Sequence, residues 1–211
     1  MMKTMKRTGV FALSICLFLI GGVGMVKAQN VTRHTITLGA QNQKSAYGGF
    51  ADLITGNTYS LSNVVGKQGT IDLIYAYGST TKINLLTPSS SGLRFFGKSY
   101  RDQVYTAWKK KNRGSIVVLE NNKENRKLYK RVKTNEQLQD AYSHAASTVT
   151  GRPGYKRSSF GPAARVMHLN IGDYILIRSR DRGIYAMGRI VNGETGYTGN
   201  VTIDFKVTTI E

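Results

Sequence analysis

The alternation of apolar and polar residues predicts a chain built mainly from β-strands. Residues 32–38 alternate in this way before Gly39, which predicts a strand that ends at the glycine. Residues 50–61 contain two short β-type runs on either side of Thr55-Gly56-Asn57, which indicates a hairpin or bulged turn. Residues 70–78 are almost continuously apolar and rich in isoleucine and tyrosine, a pattern typical of a strand buried on both faces in the middle of a sheet.

Two segments have the spacing of helices. Thr134 stands at a cap position with Gln137 three residues later, which predicts a helix over residues 134–146. The apolar positions that support this helix are Leu138, Ala141, Tyr142 and Ala145. A second, short helix is predicted at residues 99–108, with Ser99 and Asp102 as its cap. Its apolar face would consist of Tyr100, Val104, Ala107 and Trp108.

These patterns together predict a β-dominated α+β fold of about eight strands. The strands would form antiparallel sheets, either sandwich-like or closed in part into a barrel, with one or two short helices. The remaining strands are expected at residues 82–86, 115–119, 173–178, 184–191 and 200–209. The polar stretch 120–127 is predicted to be a solvated turn, and residues 151–162, with two prolines and three glycines, a loop.

Residues 1–28 have the order of a secretory signal: early basic residues, an apolar run and the small-residue ending Val26-Lys27-Ala28. A membrane anchor is the alternative, but it needs about 18 apolar residues, a length reached only by counting three glycines. A lipoprotein signal at Cys16 is disfavoured by Ile15, where a small residue is expected. We therefore predict cleavage before Gln29 and export to the periplasm, the cell surface or the medium, with no transmembrane segment after cleavage.

Residues 29–211 are predicted to form a single β-rich domain, with a subdivision at residues 150–165 as the alternative. This mature chain contains no cysteine, because Cys16 is the only one. It therefore has no disulfide and no thiolate metal site, and its stability has to come from a packed core.

Positive charge is concentrated in the middle of the chain. The signal carries four of the 30 lysines and arginines and none of the 12 acids, so the mature net charge is 26 − 12 = +14. Residues 98–133 alone hold twelve basic and three acidic residues, which gives +9. Such a segment is either the solvated surface of ordinary elements or a surface that binds an anionic polymer. The candidate binding residues are Trp108, Lys109, Lys110, Lys111, Arg113, Lys127, Lys130 and Arg131.

Catalytic chemistry finds little support in the residue pattern. The three histidines, His34, His144 and His168, include no pair at metal-ligand spacing, so neither a metal nor a cofactor is predicted. No nucleophile elbow and no phosphate-binding loop occurs in the mature chain. A glycosidase would need two carboxyl groups across a cleft, which only the folded chain can bring together. Asp173, within a Gly-Asp turn, is better explained as a residue that binds backbone N–H groups.

Several segments in or near the predicted strands have sequences similar to those of a known group of proteins. They are Thr37-Leu38-Gly39-Ala40-Gln41, Phe50-Ala51-Asp52-Leu53 followed by Gly56 and Tyr59, Ile71-Asp72-Leu73-Ile74-Tyr75, Asn170-Ile171-Gly172-Asp173, and residues 201–207. In these segments the chain resembles β-rich exported proteins and lipoproteins of Bacteroidetes-type bacteria, most of which have no assigned function. The resemblance implies an envelope or surface location and no assignable reaction.

Three functions remain open from the sequence. The leading hypothesis is a non-enzymatic binding or structural module of the cell envelope that contacts a glycan, an anionic polymer or a partner protein. It predicts exposed tyrosines among Tyr47, Tyr59, Tyr75, Tyr77, Tyr174, Tyr185 and Tyr197. The alternatives are a polysaccharide or cell-wall hydrolase with a carboxylate pair, and a protein that binds extracellular nucleic acid through the basic segment.

Overall fold

A computed structural model describes residues 29–42 and 46–209. The predicted signal, residues 1–28, lies outside the described residues, and its predicted cleavage site lies directly before the first of them. Export therefore stays a prediction. The described chain contains ten strands, two more than the sequence predicted. They are Thr32–Gly39 (β1), Phe50–Ala51 (β2), Thr58–Tyr59 (β3), Leu73–Gly78 (β4), Lys82–Leu86 (β5), Gly114–Leu119 (β6), Arg165–Leu169 (β7), Tyr174–Ser179 (β8), Ile184–Glu194 (β9) and Asn200–Val207 (β10).

The strands form two five-stranded antiparallel sheets. The first sheet has the spatial order β1-β10-β9-β8-β6, and the second has the order β3-β2-β4-β5-β7. The sheets remain separate and are not closed into a barrel, so the sandwich-like α+β prediction is confirmed. β2 and β3 pair antiparallel around the predicted turn at Thr55-Gly56-Asn57.

The central position of β4 confirms the prediction made from its apolar run. β4 is the middle strand of the second sheet, and residues 71–76 are buried. Leu73 and Tyr75 face the first sheet, whereas Ile74 and Ala76 face an apolar layer on the other side. A strand covered on both faces needs apolar residues at consecutive positions, which explains why its sequence does not alternate.

The main core lies between the two sheets. Alternate residues of nearly every strand point into it, because side chains on a strand change face at each step. Its members include Ile36, Leu38, Leu85, Ile116, Val118, Ile175, Ile177, Val201, Ile203 and Phe205. Each such side chain, once buried, contributes about 1.5–3 kcal/mol relative to exposure.

Two helices cover the outer face of the first sheet. They are Lys123–Arg131 (α1) and Asn135–Thr148 (α2). The prediction of α2 is confirmed, since the Thr134 hydroxyl accepts a hydrogen bond from the Gln137 N–H. The four predicted apolar positions of α2 are all buried, and they pack on Val117, Tyr174, Leu176 and Met187 of the sheet.

The prediction of a solvated turn at residues 120–127 is wrong, because α1 begins there. The Asn122 side chain accepts a hydrogen bond from the Asn125 N–H at 2.8 Å and caps this helix. At the other end, the buried Lys206 of β10 donates from its Nζ to the carbonyls of Tyr129 and Val132. A cation at the carboxyl end of a helix satisfies free carbonyls and complements the dipole, so a tertiary contact stabilises this polar sequence as a helix.

Short helical turns cover the outer face of the second sheet. They are two 3₁₀ helices, Val65–Thr70 and Ser91–Phe95, and a π-helix, Ser99–Thr106. The predicted helix at residues 99–108 therefore exists, but it is wound as a π-helix. Its predicted cap is wrong, since no side chain caps its first turn and Asp102 pairs with Arg101 instead. Tyr100, Val104 and Trp108 are buried against the sheet as expected, whereas Ala107 is exposed.

The segment predicted as a loop at residues 151–162 is also partly helical. It follows a 3₁₀ turn, Val149–Gly151, and contains the single-turn helix Arg157–Phe160 (α3). The chain then enters β7, which the sequence pattern did not reveal and which forms the edge of the second sheet beside β5.

Candidate functional site

The basic residues between the π-helix and β6 do not form one uniform charged surface. Lys109 and Lys110 are exposed, and their backbone N–H groups donate to the Gln68 side chain at 3.0 and 3.3 Å. Lys111 donates from Nζ to the Tyr105 carbonyl and lies over the ring of the same tyrosine. Arg113 forms an ion pair with Asp181 at 2.6 Å. Two of these four predicted binding cations therefore already have a partner.

Trp108, the predicted aromatic member of the basic site, lies beneath the surface. It is 4% exposed and belongs to the apolar layer of the second sheet, with its ring centroid 5.5 Å from that of Phe50. A ring in this position stabilises the core.

The other predicted binding cations, Lys127, Lys130 and Arg131, lie on α1. Together with Lys123, Arg126 and Lys133 they form a set of six exposed basic residues. None of the six makes an ion pair with any residue of the described chain. We call these six residues the basic helix face.

The structure places the two basic runs on different sides of the molecule. Lys109–Lys111 precede β6, and Lys109 and Lys110 adjoin the 3₁₀ helix Val65–Thr70, which covers the second sheet. The basic helix face follows β6 and covers the first sheet. β6 has six residues and spans about 20 Å at about 3.3 Å per residue, so the two runs flank its opposite ends.

A different surface brings polar and aromatic groups together, at the end of the sandwich that holds the β4–β5 turn and the β9–β10 loop. It contains two clefts, of about 270 and 520 Å³. The first is lined mainly by Gln41, Asn42, Tyr47, Ser60, Tyr100 and Gln103. The second is lined mainly by Gln41, Tyr77, Thr81, Phe95, Phe96, Arg165 and Tyr197. Since Gln41 lines both, the clefts adjoin, and we call them together the aromatic groove.

Backbone and side-chain hydrogen bonds fix the centre of the aromatic groove. The Gln41 amide donates to the Tyr77 carbonyl at 2.6 Å and accepts from the Tyr77 N–H at 2.8 Å. The Asn42 N–H donates to the Tyr197 carbonyl at 3.3 Å, which ties the β9–β10 loop to the end of β1. The rings of Tyr77 and Tyr197 then meet edge to face, with centroids 5.6 Å apart. The wall between the clefts is therefore held by contacts among three distant segments.

Exposed aromatic rings are concentrated in this groove. Five large apolar or aromatic side chains of the described chain are strongly exposed: Tyr47, Val65, Phe95, Ile171 and Tyr197. Three of them, Tyr47 at 48%, Phe95 at 65% and Tyr197 at 52%, line the groove. Leaving such rings in water is unfavourable, so their concentration in one concave place indicates a binding surface.

Of the seven tyrosines among which exposed rings were predicted, two are strongly exposed. Tyr47 and Tyr197 are exposed, Tyr75 and Tyr174 are core residues, and the remaining three are partly buried. Gln41, Phe95 and Arg165 line the groove but were not predicted as binding residues from the sequence. Their only signal was an adjacent pair of phenylalanines, Phe95-Phe96, in a polar and glycine-rich stretch.

Carboxylates gather elsewhere, in a buried cluster at the opposite end of the sandwich. Arg182, from the β8–β9 turn, donates from Nη1 to Asp52 Oδ1 at 2.8 Å, to Asp72 Oδ2 at 2.5 Å and to the Thr70 carbonyl. Burial raises the pKa of Asp72 to about 6, and the nearby Arg182 charge opposes that rise only in part. Asp52 directly follows β2 and Asp72 directly precedes β4, so Arg182 joins the β8–β9 turn of the first sheet to the second sheet.

The hydrolase hypothesis requires two carboxylates across an open cleft. Among the described residues, no aspartate or glutamate lines either part of the aromatic groove. Asp52 and Asp72 are close together, but they are buried and paired with Arg182, so a polysaccharide cannot reach them in this arrangement. Across residues 29–42 and 46–209, no group of three histidine, aspartate or glutamate side chains has metal-site geometry. Within the same ranges, no helix is long and apolar enough to cross a membrane.

The chain has a structural relative among solved proteins, but neither a matching family model nor a significantly similar curated protein. No family model matches the chain, and no curated protein matches it significantly. Among solved structures, the chain is similar to a DUF4466 family protein from Parabacteroides merdae, with a TM-score of 0.51 and 15% sequence identity. The alignment covers 84% of this chain and 54% of the other, so this chain spans about half the length of that protein. The neighbour comes from a Bacteroidetes bacterium, in keeping with the resemblance seen in the sequence. At this identity the likeness shows a shared fold.

Proposed function

We propose that residues 29–211 form a non-enzymatic binding module of the cell envelope that holds a glycan in the aromatic groove. The observation that carries the proposal is the convergence of Tyr47, Phe95 and Tyr197 on one concave surface. The flat face of an aromatic ring packs against the C–H groups of a sugar, while a few polar groups fix its orientation. Gln41 and Gln103 supply amide donors and acceptors in this groove.

Export supports the same proposal, because glycans are abundant in the envelope and outside the cell. The signal pattern of residues 1–28 and the resemblance to Bacteroidetes-type exported proteins both favour this location. The periplasm, the cell surface and the medium are all compatible with the proposal.

The test is a binding screen of the purified protein on an array of neutral and acidic oligosaccharides, followed by titration of the best ligand. Tyr197→Ala and Phe95→Ala should each weaken binding about two- to tenfold, since an aromatic contact contributes roughly 0.5–1.5 kcal/mol and 1.4 kcal/mol is a factor of ten. Ile171→Ala is the matched control, because Ile171 is equally exposed but lies outside the groove. Absence of binding to any glycan, or equal affinities for all three variants and the wild type, would contradict the proposal.

A second candidate function is binding of an anionic polymer to the basic helix face. It is favoured by one observation, the six exposed cations that have no ion pair within the described chain. Such a surface attracts sulfated or phosphorylated polymers, including extracellular nucleic acid, without any specific geometry. The cations before β6, Lys109 and Lys110, would form a smaller and separate contact.

A further inference from the structure

Arg165 is a half-buried cation in the aromatic groove, and it has no acidic partner among the residues that the structure describes. Its Nε and Nη2 atoms both donate to the Asn84 Oδ1 atom, at 3.1 and 2.9 Å. Its other contacts are the sulfur of Met167 and the ring of Phe96, whose centroid lies 4.9 Å from the guanidinium carbon. All of these partners are neutral. The Nη1 atom makes no hydrogen bond with any residue of the described chain, so this edge of the guanidinium is available to a ligand.

The surroundings hold the guanidinium in one orientation. Asn84 is fully buried, and its amide nitrogen donates to the Thr81 hydroxyl at 2.9 Å and to the Lys82 carbonyl at 2.8 Å. These bonds turn the Asn84 oxygen toward Arg165. The arginine stem lies so close to Gly92 that a Cβ atom there would stand 2.6 Å from Arg165 Cδ. A side chain held in this way loses little freedom when it binds a ligand.

The lack of an acidic partner has an energetic consequence. Burial lowers the pKa of Arg165, because water is removed from the charged group and no carboxylate of the described residues offsets the loss. Arg182 is the contrasting case, since its guanidinium contacts two carboxylates. An anionic ligand group at the Nη1 edge of Arg165 would supply the missing opposite charge, and the planar guanidinium presents N–H donors at this edge to a carboxylate.

We propose that the aromatic groove selects sugars that carry a carboxylate, as uronic acids do, and that Arg165 binds this carboxylate. The proposal rests on the glycan-binding function proposed above and specifies its ligand class. In this arrangement Tyr197 and Phe95 contact the sugar rings, and the Nη1 edge of Arg165 donates to the carboxylate oxygens. Asn84 acts as a positioning residue.

The experiment compares two ligands that differ only in charge, oligogalacturonate and its methyl ester. We expect wild-type protein to bind the acid form about 10- to 100-fold more tightly, the range of a charge-assisted hydrogen bond. This comparison requires no variant and is independent of folding effects. Arg165→Gln should remove the preference for the acid form, so that the variant binds the acid and the ester with similar affinity. Arg165→Lys should restore part of the preference, because it keeps the charge and loses the planar fork.

Two controls separate this site from general electrostatic attraction. The double variant Lys127→Gln, Lys130→Gln lowers the positive charge of the basic helix face. It should still bind the acid form more tightly than the ester. The preference should also persist at 0.5 M salt, since a charge inside a cleft is less screened than one on the surface. A sulfated oligosaccharide of similar length tests whether the groove selects a carboxylate over another anionic group. Tighter binding of the sulfated than of the carboxylated ligand would overturn the proposed selectivity for carboxylates.

The outcomes distinguish this inference from the proposed function. Equal binding of the acid and the ester, with binding reduced by Tyr197→Ala, would overturn the role of Arg165 and leave the glycan groove supported. A preference for the acid form that survives Arg165→Gln would likewise overturn it. Failure to bind any member of the neutral and acidic array would overturn both.

Discussion

The carboxyl group of Asp72 should make the stability of this protein fall as the pH rises from about 4 to about 7. Its pKa is raised from 3.8 to about 6, mainly by burial, although the Arg182 guanidinium lies 2.5 Å from its Oδ2 atom. Between these two values the folded state binds a proton that the unfolded chain has released. The free energy of unfolding therefore decreases with increasing pH across this interval, and Asp72 destabilises the fold most above pH 6.

The size of the effect follows from the shift. The difference between 3.8 and about 6 is roughly two pKa units, and each unit corresponds to about 1.4 kcal/mol. The full shift corresponds to about 3 kcal/mol, and about 2 kcal/mol of it should be lost between pH 4 and pH 7, because the carboxyl of the unfolded chain is already partly ionised at pH 4. Asp72→Asn removes the titrating group, so the stability of the wild type minus that of the variant should fall by about this amount over the same range.

Urea unfolding at several pH values from 4 to 7 measures this difference. The fluorescence of Trp108 is a suitable signal, because it is the only tryptophan and is buried. Asp140→Asn, at an exposed position of α2, is the control and should follow the wild-type profile within about 0.5 kcal/mol. If the difference between wild type and Asp72→Asn stayed constant or grew with pH, the reasoning about burial would be refuted.

Two further predictions concern charged side chains. Arg182→Met should cost roughly 3–5 kcal/mol of unfolding free energy at pH 7, because it leaves two buried carboxylates without their cation. Arg113→Met, which breaks an exposed ion pair with Asp181, is the control and should cost far less, because solvent screens this pair. Equal losses for the two variants would argue against a special role for the buried cluster. If the basic helix face binds an anionic polymer, the double variant Lys127→Gln, Lys130→Gln should reduce the slope of log K against log salt for duplex DNA by about two units. An unchanged slope would show that these two lysines do not contact the DNA phosphates.

Local signals in the sequence predicted the elements that depend on neighbouring residues. The continuous apolar run of β4 indicated a central strand, because only a strand covered on both faces needs apolar residues at consecutive positions. Thr134 and Gln137 marked the beginning of α2, since a capping hydrogen bond spans three residues. The alternation and turn residues of the other predicted strands were sufficient for the sandwich-like fold class, although β7 was missed.

Elements stabilised by distant residues were missed or mistaken. The polar sequence of α1 indicated a turn, but Lys206 of β10 binds the end of this helix from 74 or more positions away. The helix at residues 99–106 was expected as an ordinary helix, and its π-winding appears only in the folded chain, where Tyr100, Val104 and Trp108 pack on the second sheet. Asn122, which caps α1, was a local signal for this helix, but the contact from Lys206 and the π-winding depend on residues far away in the sequence.

The candidate site was decided almost entirely by the tertiary structure. The sequence indicated a basic segment and a set of tyrosines, but it could not show that Trp108 is buried or that the two basic runs lie on different sides. The aromatic groove takes Gln41, Tyr77, Phe95, Arg165 and Tyr197 from five separate segments. Strand order and register bring these side chains together, and both depend on long-range pairing between the strands. Residue spacing therefore determined which segments form most of the strands, whereas tertiary packing determined which side chains share a surface.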